Sequence, residues 1–183
     1  MPPKFKFKKE EIINTAVNLV RENGADYLTA RNLGAALGSS AKPIFSLFEG
    51  MEEVKNMVFA SAQEIYENYL ETDMKKGEYP TYKASGMAYI RFACEEKELF
   101  KLLFMRDRTG EVLTESREEI MPLLKIIMKN LSVDEDTAFF LHLKLWIYVH
   151  GFATMCATGY LNWDTEFIKK SISDVYNGLT SNL

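Results

Sequence analysis

The side chains that could hold a metal ion or move a proton near neutral pH are few. His142 and His150 are the two histidines, and Cys94 and Cys156 the two cysteines. A zinc site needs three or four such ligands at short, regular spacing. No group has it: Cys156 lies six residues beyond His150, which puts the two on different sides of a helix. His150 shares a helix face with Trp146, four residues before it. That pair suits hydrogen-bonded core packing, with contact to a bound small molecule as the second reading. Catalysis finds no better support. There is no glycine-rich phosphate loop, no Gly-x-Ser-x-Gly turn and no Ser/His/Asp set on separate loops. Glu95-Glu96 and Glu118-Glu119 are adjacent in helices, so their side chains diverge and read as solvated faces. Neither an enzyme nor a cofactor is expected.

Residues 29–48, TARNLGAALGSSAKPIFSLF, carry a different chemistry. They read as a short helix, a tight Gly turn and a second short helix. Two helices joined by about four residues containing Gly form the helix-turn-helix pattern. Its second helix can enter the major groove of DNA while the first crosses the backbone. The same pattern also builds a plain helical corner, so alone it leaves both readings open.

The elements that must position these residues are helical throughout. Lys9 to Glu22 sets Ile12, Ile13, Ala16, Val17, Leu19 and Val20 at three- and four-residue spacing, and Asn23-Gly24 stops the helix. Thr29 reads as an N-cap, and Leu33, Ala36 and Leu37 as the inner face of a helix ended by Gly38. With Ser40 as the next N-cap, Pro43 takes the third helical position, where no intrahelical bond is lost. Met51 opens a long helix to about Asp73. After a loop at Lys75–Pro80, helices follow at about Tyr82–Glu95, Glu98–Arg106 and Ser116–Asn130, the last with Pro122 forcing a kink or a late start. Asp107–Gly110 is a turn. Ser132 and Glu135 match a capping box before a helix to about Gly159, and Asn162–Asp164 caps a last one to about Asn177. The result is an all-α chain of about nine helices, with no strand alternation and no internal repeat.

From Ala138 to Ala157 the long helix is apolar nearly all round. As a membrane span it would carry Lys144, His142 and His150, with the lysine alone costing about 2.5–3.5 kcal/mol at mid-span. We reject the span and expect no membrane partner. An apolar helix in water must be covered on every side. Its own domain covers one side, and a second copy is expected to cover the other. The predicted dimer face joins Ile147, Gly151, Thr154 and Thr158 of this helix to a stripe on the last helix: Ile168, Ile172, Val175 and Leu179. Two helices from each chain would then form a four-helix bundle.

Composition sets the outer bounds. The chain has 183 residues, 47% hydrophobic and 26% charged, which excludes a wholly disordered protein. Two cysteines exclude a disulfide framework and fit a reducing, cytoplasmic setting. Met1–Glu10 is Lys-rich with no apolar run behind it, so no secretory leader is expected. The net charge of −4 divides into +2 over residues 1–50 and −6 over residues 51–183. Lys4, Lys6, Lys8 and Lys9 with Phe5 and Phe7 form a basic arm. It reads as a solvated tail or, functionally, as an arm lying on phosphates or in a minor groove.

The stretch from Lys9 to about Ala60 resembles the N-terminal domain of the TetR (tetracycline-repressor-like) transcriptional regulators. The features that carry the resemblance are the first helix ending at Gly24, Leu28-Thr29-Ala30-Arg31-Asn32-Leu33, Leu37-Gly38, Ser40, Phe45, Phe48 and Glu52-Glu53-Val54. The remainder is similar to the family's effector and dimer domain. Tyr89-Ile90-Arg91-Phe92-Ala93, Glu98-Leu99-Phe100 and Trp146, His150, Gly151 look like its Trp-His-Gly subtype. The resemblance implies a helix-turn-helix DNA-binding domain at 1–50 and a ligand-binding and dimerisation domain at 51–183. It implies that Thr29 bonds a phosphate, that Arg31 faces the major groove, that Ser40, Ala41 and Lys42 open the recognition helix, and that Ser46 lies on its DNA side. Three positions depart from the family: Phe45 stands where Tyr is usual, Leu47 where His or Tyr is usual, and Met51 where Lys is usual. Tyr and Lys there contact phosphate. Tyr89, Phe92, Phe104 and Met105, with Trp146 and His150, are the candidate lining of an effector pocket for a partly apolar small molecule; plain core packing is the simpler reading for each. The expected function is a ligand-responsive repressor that binds a palindromic operator as a homodimer. The alternative is a helical small-molecule-binding or interaction protein with weakened or lost DNA binding.

Overall fold

A computed structural model describes residues 7–107, 109, 117–161, 163–181 and 183. Nine α-helices and one 3-10 turn make up its regular structure, and the described residues hold no strand. The all-α reading holds. The helices are α1 (Lys9–Asn23), α2 (Ala30–Ala36), α3 (Lys42–Leu47), α4 (Met51–Lys76), α5 (Thr81–Glu95), α6 (Lys97–Phe104), α7 (Arg117–Leu131), α8 (Glu135–Thr158) and α9 (Thr165–Thr180). Two compact units divide the chain: Met1–Glu67 with Glu96–Arg106, and Asn68–Glu95 with Asp107–Leu183.

In the first unit α1 packs against α2 and α6, and α2 against α3. The period-3.6 stripe of α1 is buried as its spacing requires, through Ile12, Ile13, Ala16, Val17 and Val20. Leu33, Ile44, Val54, Val58, Leu99 and Phe100 are buried from the other helices. Gly24 ends α1 at φ +86°, a conformation open to glycine, and its N–H donates to the Val20 carbonyl at 2.8 Å. The basic arm falls partly outside the described residues, since Lys4, Phe5 and Lys6 are not among them.

In the second unit α8 is the centre, packed against α5, α7 and α9, and α5 also meets α7. Leu124, Ile127, Ala138, Leu141 and Leu145 form a buried cluster between α7 and α8. Pro122 lies inside α7 rather than at its start, and Ser116 is outside the described residues. Arg91 of α5 clamps the end of α4: it donates to both carboxylate oxygens of Asp73 at 2.9 and 3.0 Å and lies 4.1 Å over the Tyr69 ring. Partial burial raises the Asp73 pKa, but the hydrogen bonds from Arg91 and Lys76 outweigh it and hold the carboxyl below its ordinary range.

Several sequence expectations are corrected. α8 is capped by Asp134, whose carboxylate accepts the Thr137 N–H at 2.7 Å, and not by Ser132. Ser132 stands at φ +55°, the left-handed region, whereas an N-cap needs extended backbone. α3 begins at Lys42 with Ala41 as its cap residue, so Pro43 is the second helical residue. Ser40 Oγ accepts only a long bond from the Lys42 N–H, 3.4 Å. α9 starts after Asp164, which accepts the Glu166 N–H at 3.2 Å; Asn162 lies outside the described residues, as does Gly110 of the expected turn.

The largest correction concerns the stripe on α9. Ile168 and Ile172 are only 4% and 5% exposed, and Val175 and Leu179 pack against the cluster between α7 and α8. Ile168 and Ile172 thus cover their own core, whereas Val175 and Leu179 are half-buried and keep part of their surface exposed. An apolar stripe has the same spacing whichever surface it covers.

Candidate nucleic-acid interface and effector pocket

Thr29 is the N-cap of α2, and its hydroxyl oxygen accepts the Asn32 N–H at 3.2 Å. That leaves the hydroxyl hydrogen to donate outward, as a phosphate contact requires. The Asn32 amide braces the same turn by donating to the Tyr27 carbonyl at 2.9 Å. Two residues along the exposed side of α2 stands Arg31. On α3 the outward residues are Lys42, Phe45 and Ser46, spaced i, i+3, i+4, while Ile44 is fully buried and anchors the helix. Ser40 is exposed and Ala41 and Met51 are half-buried. Phe45 is 55% exposed.

Charge pairing separates these cations from their neighbours. Lys9 pairs with Glu53 at 2.8 Å, Arg21 with Glu96 at 2.7 Å and Lys55 with Glu52 at 2.8 Å. The hydrogen bond from Lys9, with the Glu49 N–H, holds the Glu53 carboxyl below its ordinary range. Among the described residues Arg31 and Lys42 have no such carboxylate. Both remain available to an external polyanion.

The spacing between α2 and α3 depends on a residue that the sequence reading passed over. A Cβ on Gly34 would stand 2.9 Å from the Ser40 carbonyl carbon and 3.0 Å from the Ala41 nitrogen. Those atoms are backbone and cannot swing away, so glycine is what lets the turn press against α2. A glycine inside a helix was the available signal. Beside Thr29 the unit also has an open cleft of about 350 Å³, walled by Val20, Leu28 and Val58 with Asp26 and Lys55 among its lining.

The six expected pocket residues are divided between the two units. Tyr89, Trp146 and His150 come together in the second unit. Tyr89 Oη and His150 Nδ1 lie 2.8 Å apart in a hydrogen bond, and the Trp146 ring stacks on His150 at 5.1 Å and 15°. Phe92 is fully buried with its ring edge-on to Tyr69. Phe104 and Met105 belong to the first unit, where Phe104 packs on Tyr66 and Phe100. Trp146 is 38% exposed and His150 half-buried, so this pair is at the surface and not in the core. His142 is the core histidine, bonded through Nδ1 to Tyr82 Oη at 3.0 Å. Burial pushes the pKa of both histidines down.

On α8 the outward side keeps Phe140 60% and Ile147 66% exposed. Thr158 is exposed farther along, with Gly151 and Thr154 half-buried. No group of His, Cys, Asp or Glu among the described residues could hold a metal ion, and no described helix is long and apolar enough to cross a membrane.

A family model described as a tetracyclin repressor-like C-terminal domain matches residues 82–174, half of the chain. No curated protein matches the chain.

Proposed function

The chain belongs to the TetR family of transcriptional regulators, and from that premise we propose that it binds a palindromic DNA operator as a homodimer and is released by a small molecule. The observation that carries the DNA reading is the pair Arg31 and Lys42, exposed on the outward side of the helix-turn-helix and without carboxylate partners among the described residues. Residues 1–50 are the reading head. Thr29 donates to a phosphate from a helix N-terminus, where the dipole favours an anion. Arg31 reaches a guanine edge in the major groove. Ser40, Ala41, Lys42 and Ser46 follow along the groove. Phe45 and Met51 lack the hydroxyl and ammonium that would bond phosphate, so the head relies on fewer backbone contacts.

Residues 51–183 carry the other two roles. The second copy covers the outward side of α8, through Phe140, Ile147, Gly151, Thr154 and Thr158. The pair must then present its two α3 helices about 34–36 Å apart to reach successive major grooves. Tyr89, Trp146 and His150 offer the effector a flat aromatic surface with a hydrogen-bonding nitrogen, chemistry for a partly apolar molecule. The effector moves DNA affinity by its differential affinity for two conformers of the dimer. Repression and a cytoplasmic location follow the family's commoner mode.

The test is selection of duplexes from a random pool by the full chain, then mobility shift of the winner against random DNA. Enrichment of a palindrome held at least a thousandfold tighter than random DNA, the low end for specific binding, is the expected result. Binding without preference, or none, favours the interaction-protein reading that the departures at Phe45, Leu47 and Met51 support.

A further inference from the structure

We propose that the cleft beside Thr29 binds a compact organic cation, and that this occupant tightens the grip of the reading head on DNA. The binding half stands on the cleft itself; the second half rests on the DNA-binding reading above.

The cleft has the build of a small ligand site. Its volume of about 350 Å³ lies at the low end of the roughly 300–1,000 Å³ that such sites occupy. Its floor is apolar and fixed: Val20 of α1, Val58 of α4 and Leu28 are at most 4% exposed. These side chains belong to the core of the first unit, so the floor is in place before a ligand arrives. The rim is polar, with Asp26, Thr29 and Lys55 all exposed. An apolar floor under a few polar groups is what fixes a small molecule in one orientation.

Charge selects the occupant. The ammonium of Lys55 is already matched by Glu52 at 2.8 Å. On the other helices that frame the cleft, Arg21 of α1 is matched by Glu96 at 2.7 Å and Lys101 of α6 by Glu98 at 2.6 Å. Asp26, on the 3-10 turn Ala25–Tyr27, has no cationic partner among the described residues. Asp26, Lys55 and Glu52 together leave a net negative charge at the rim. An ammonium or amidinium group meets that carboxylate in a charge-assisted hydrogen bond, while its apolar body leaves water for the floor. An anion of the same size meets an opposing field.

The same residues join the cleft to DNA. Thr29 is both a rim residue and the N-cap of α2, whose hydroxyl is read above as a phosphate contact. Asp26 stands three residues before it, where a carboxylate repels the backbone that Thr29 must approach. A bound cation cancels that charge at its source. It also ties the Ala25–Tyr27 turn to α4, and so holds the start of α2 in place before DNA arrives. The sign is opposite to that of the effector proposed for the second unit: this occupant favours the DNA-bound form.

The experiment is calorimetric titration of the full chain with phenethylammonium, and with phenethyl alcohol and hydrocinnamate as neutral and anionic counterparts. The ammonium should bind about two- to fivefold tighter than the alcohol, the worth of an exposed ion pair, and the carboxylate most weakly. D26N should remove the ammonium's advantage and keep the alcohol's affinity. A25F, which fills the cleft from its exposed rim, should lose all three probes, with thermal melts showing both variants folded. In mobility shifts at low salt, saturating ammonium should tighten operator binding about two- to fivefold, and D26N should bind the operator that much tighter with no ammonium present. Ammonium and alcohol binding the wild type equally, or D26N and A25F binding the ammonium as the wild type does, overturns the site. Ammonium that is held through Asp26 and loosens the operator overturns the coupling. If the wild type binds no duplex of any sequence, the DNA-binding reading falls and takes the coupling with it, and calorimetry still decides the site.

Discussion

The outward sides of α3 and α8 both expose large apolar side chains, yet they suit opposite partners. On the first, Phe45 stands with Lys42, Ser46 and Arg31, the two cations having no carboxylate partner among the described residues. On the second, Phe140 and Ile147 lead to Gly151, Thr154 and Thr158, with Lys144 the charge between them. A polyanion would satisfy the first surface, because Lys and Arg that neutralise phosphates release the counterions condensed on DNA. The second gains only from another apolar surface. Exposed hydrophobic area alone does not identify a partner; the charge around it does.

The comparison breaks most visibly at Ile147. We expect Ile147→Asp to abolish the dimer, because a carboxylate buried without a partner costs several kcal/mol. Sedimentation at micromolar concentration should show monomer, with operator affinity reduced at least a hundredfold. A persistent dimer would move the interface elsewhere on the chain. Next in size is Gly34→Ala, which drives a methyl into the Ser40–Ala41 backbone. Overpacking of this kind costs about 1–3 kcal/mol. Urea denaturation should show the loss, and operator affinity should fall further than the stability loss explains, because α3 is displaced.

Local signals in the sequence carried the α2–α3 region well. Thr29 as a cap, the Gly38 turn and the buried Ile44 are decided by neighbours within four residues, and the structure keeps all three. Where two local signals compete, the reading slipped: Ser132 and Asp134 both have capping side chains, and only the backbone angle at Ser132 settles it. The inward turn of Ile168 and Ile172 was illegible for a different reason. Periodicity reveals an apolar face but not what lies opposite it. The Tyr89–His150 and Tyr82–His142 bonds join residues about sixty apart, and no pattern along the chain announces them. The roles of Arg31 and Lys42 were expected from a resemblance; their lack of carboxylate partners is what the structure adds.

Smaller effects sharpen the contrast further. Arg31→Ala should cost about 1–3 kcal/mol on the operator and much less on random DNA, flattening the ratio between them. Met51→Lys should tighten binding to both and steepen the salt slope by ~0.9 for each phosphate neutralised. Competition titrations at several salt concentrations separate the two. An unchanged slope would mean that the start of α4 does not approach the backbone, and deletion of residues 1–8 should then show the slope loss instead.

The smallest expected effect is a pH dependence confined to the second unit. Burial depresses the folded pKa of His142 and His150 below the ordinary 6.5, so below that pH the unfolded chain binds more protons. Stability is therefore fully present above about pH 6.5 and declines as pH falls through the folded values. His142→Gln should flatten part of that decline in urea midpoints measured from pH 7.5 to 5.5. A stability that rises on acidification over the same interval would mean that folding favours the charged histidines over the neutral ones.

The central claim, that one surface takes DNA and the other a second copy of the chain, meets its most direct test in sedimentation of the full chain with its labelled, selected operator. The account predicts two chains on each duplex, with Arg31→Ala/Lys42→Ala shedding the duplex while the protein stays a dimer. A single chain per duplex, or a double variant that loses DNA and dimer together, would contradict it.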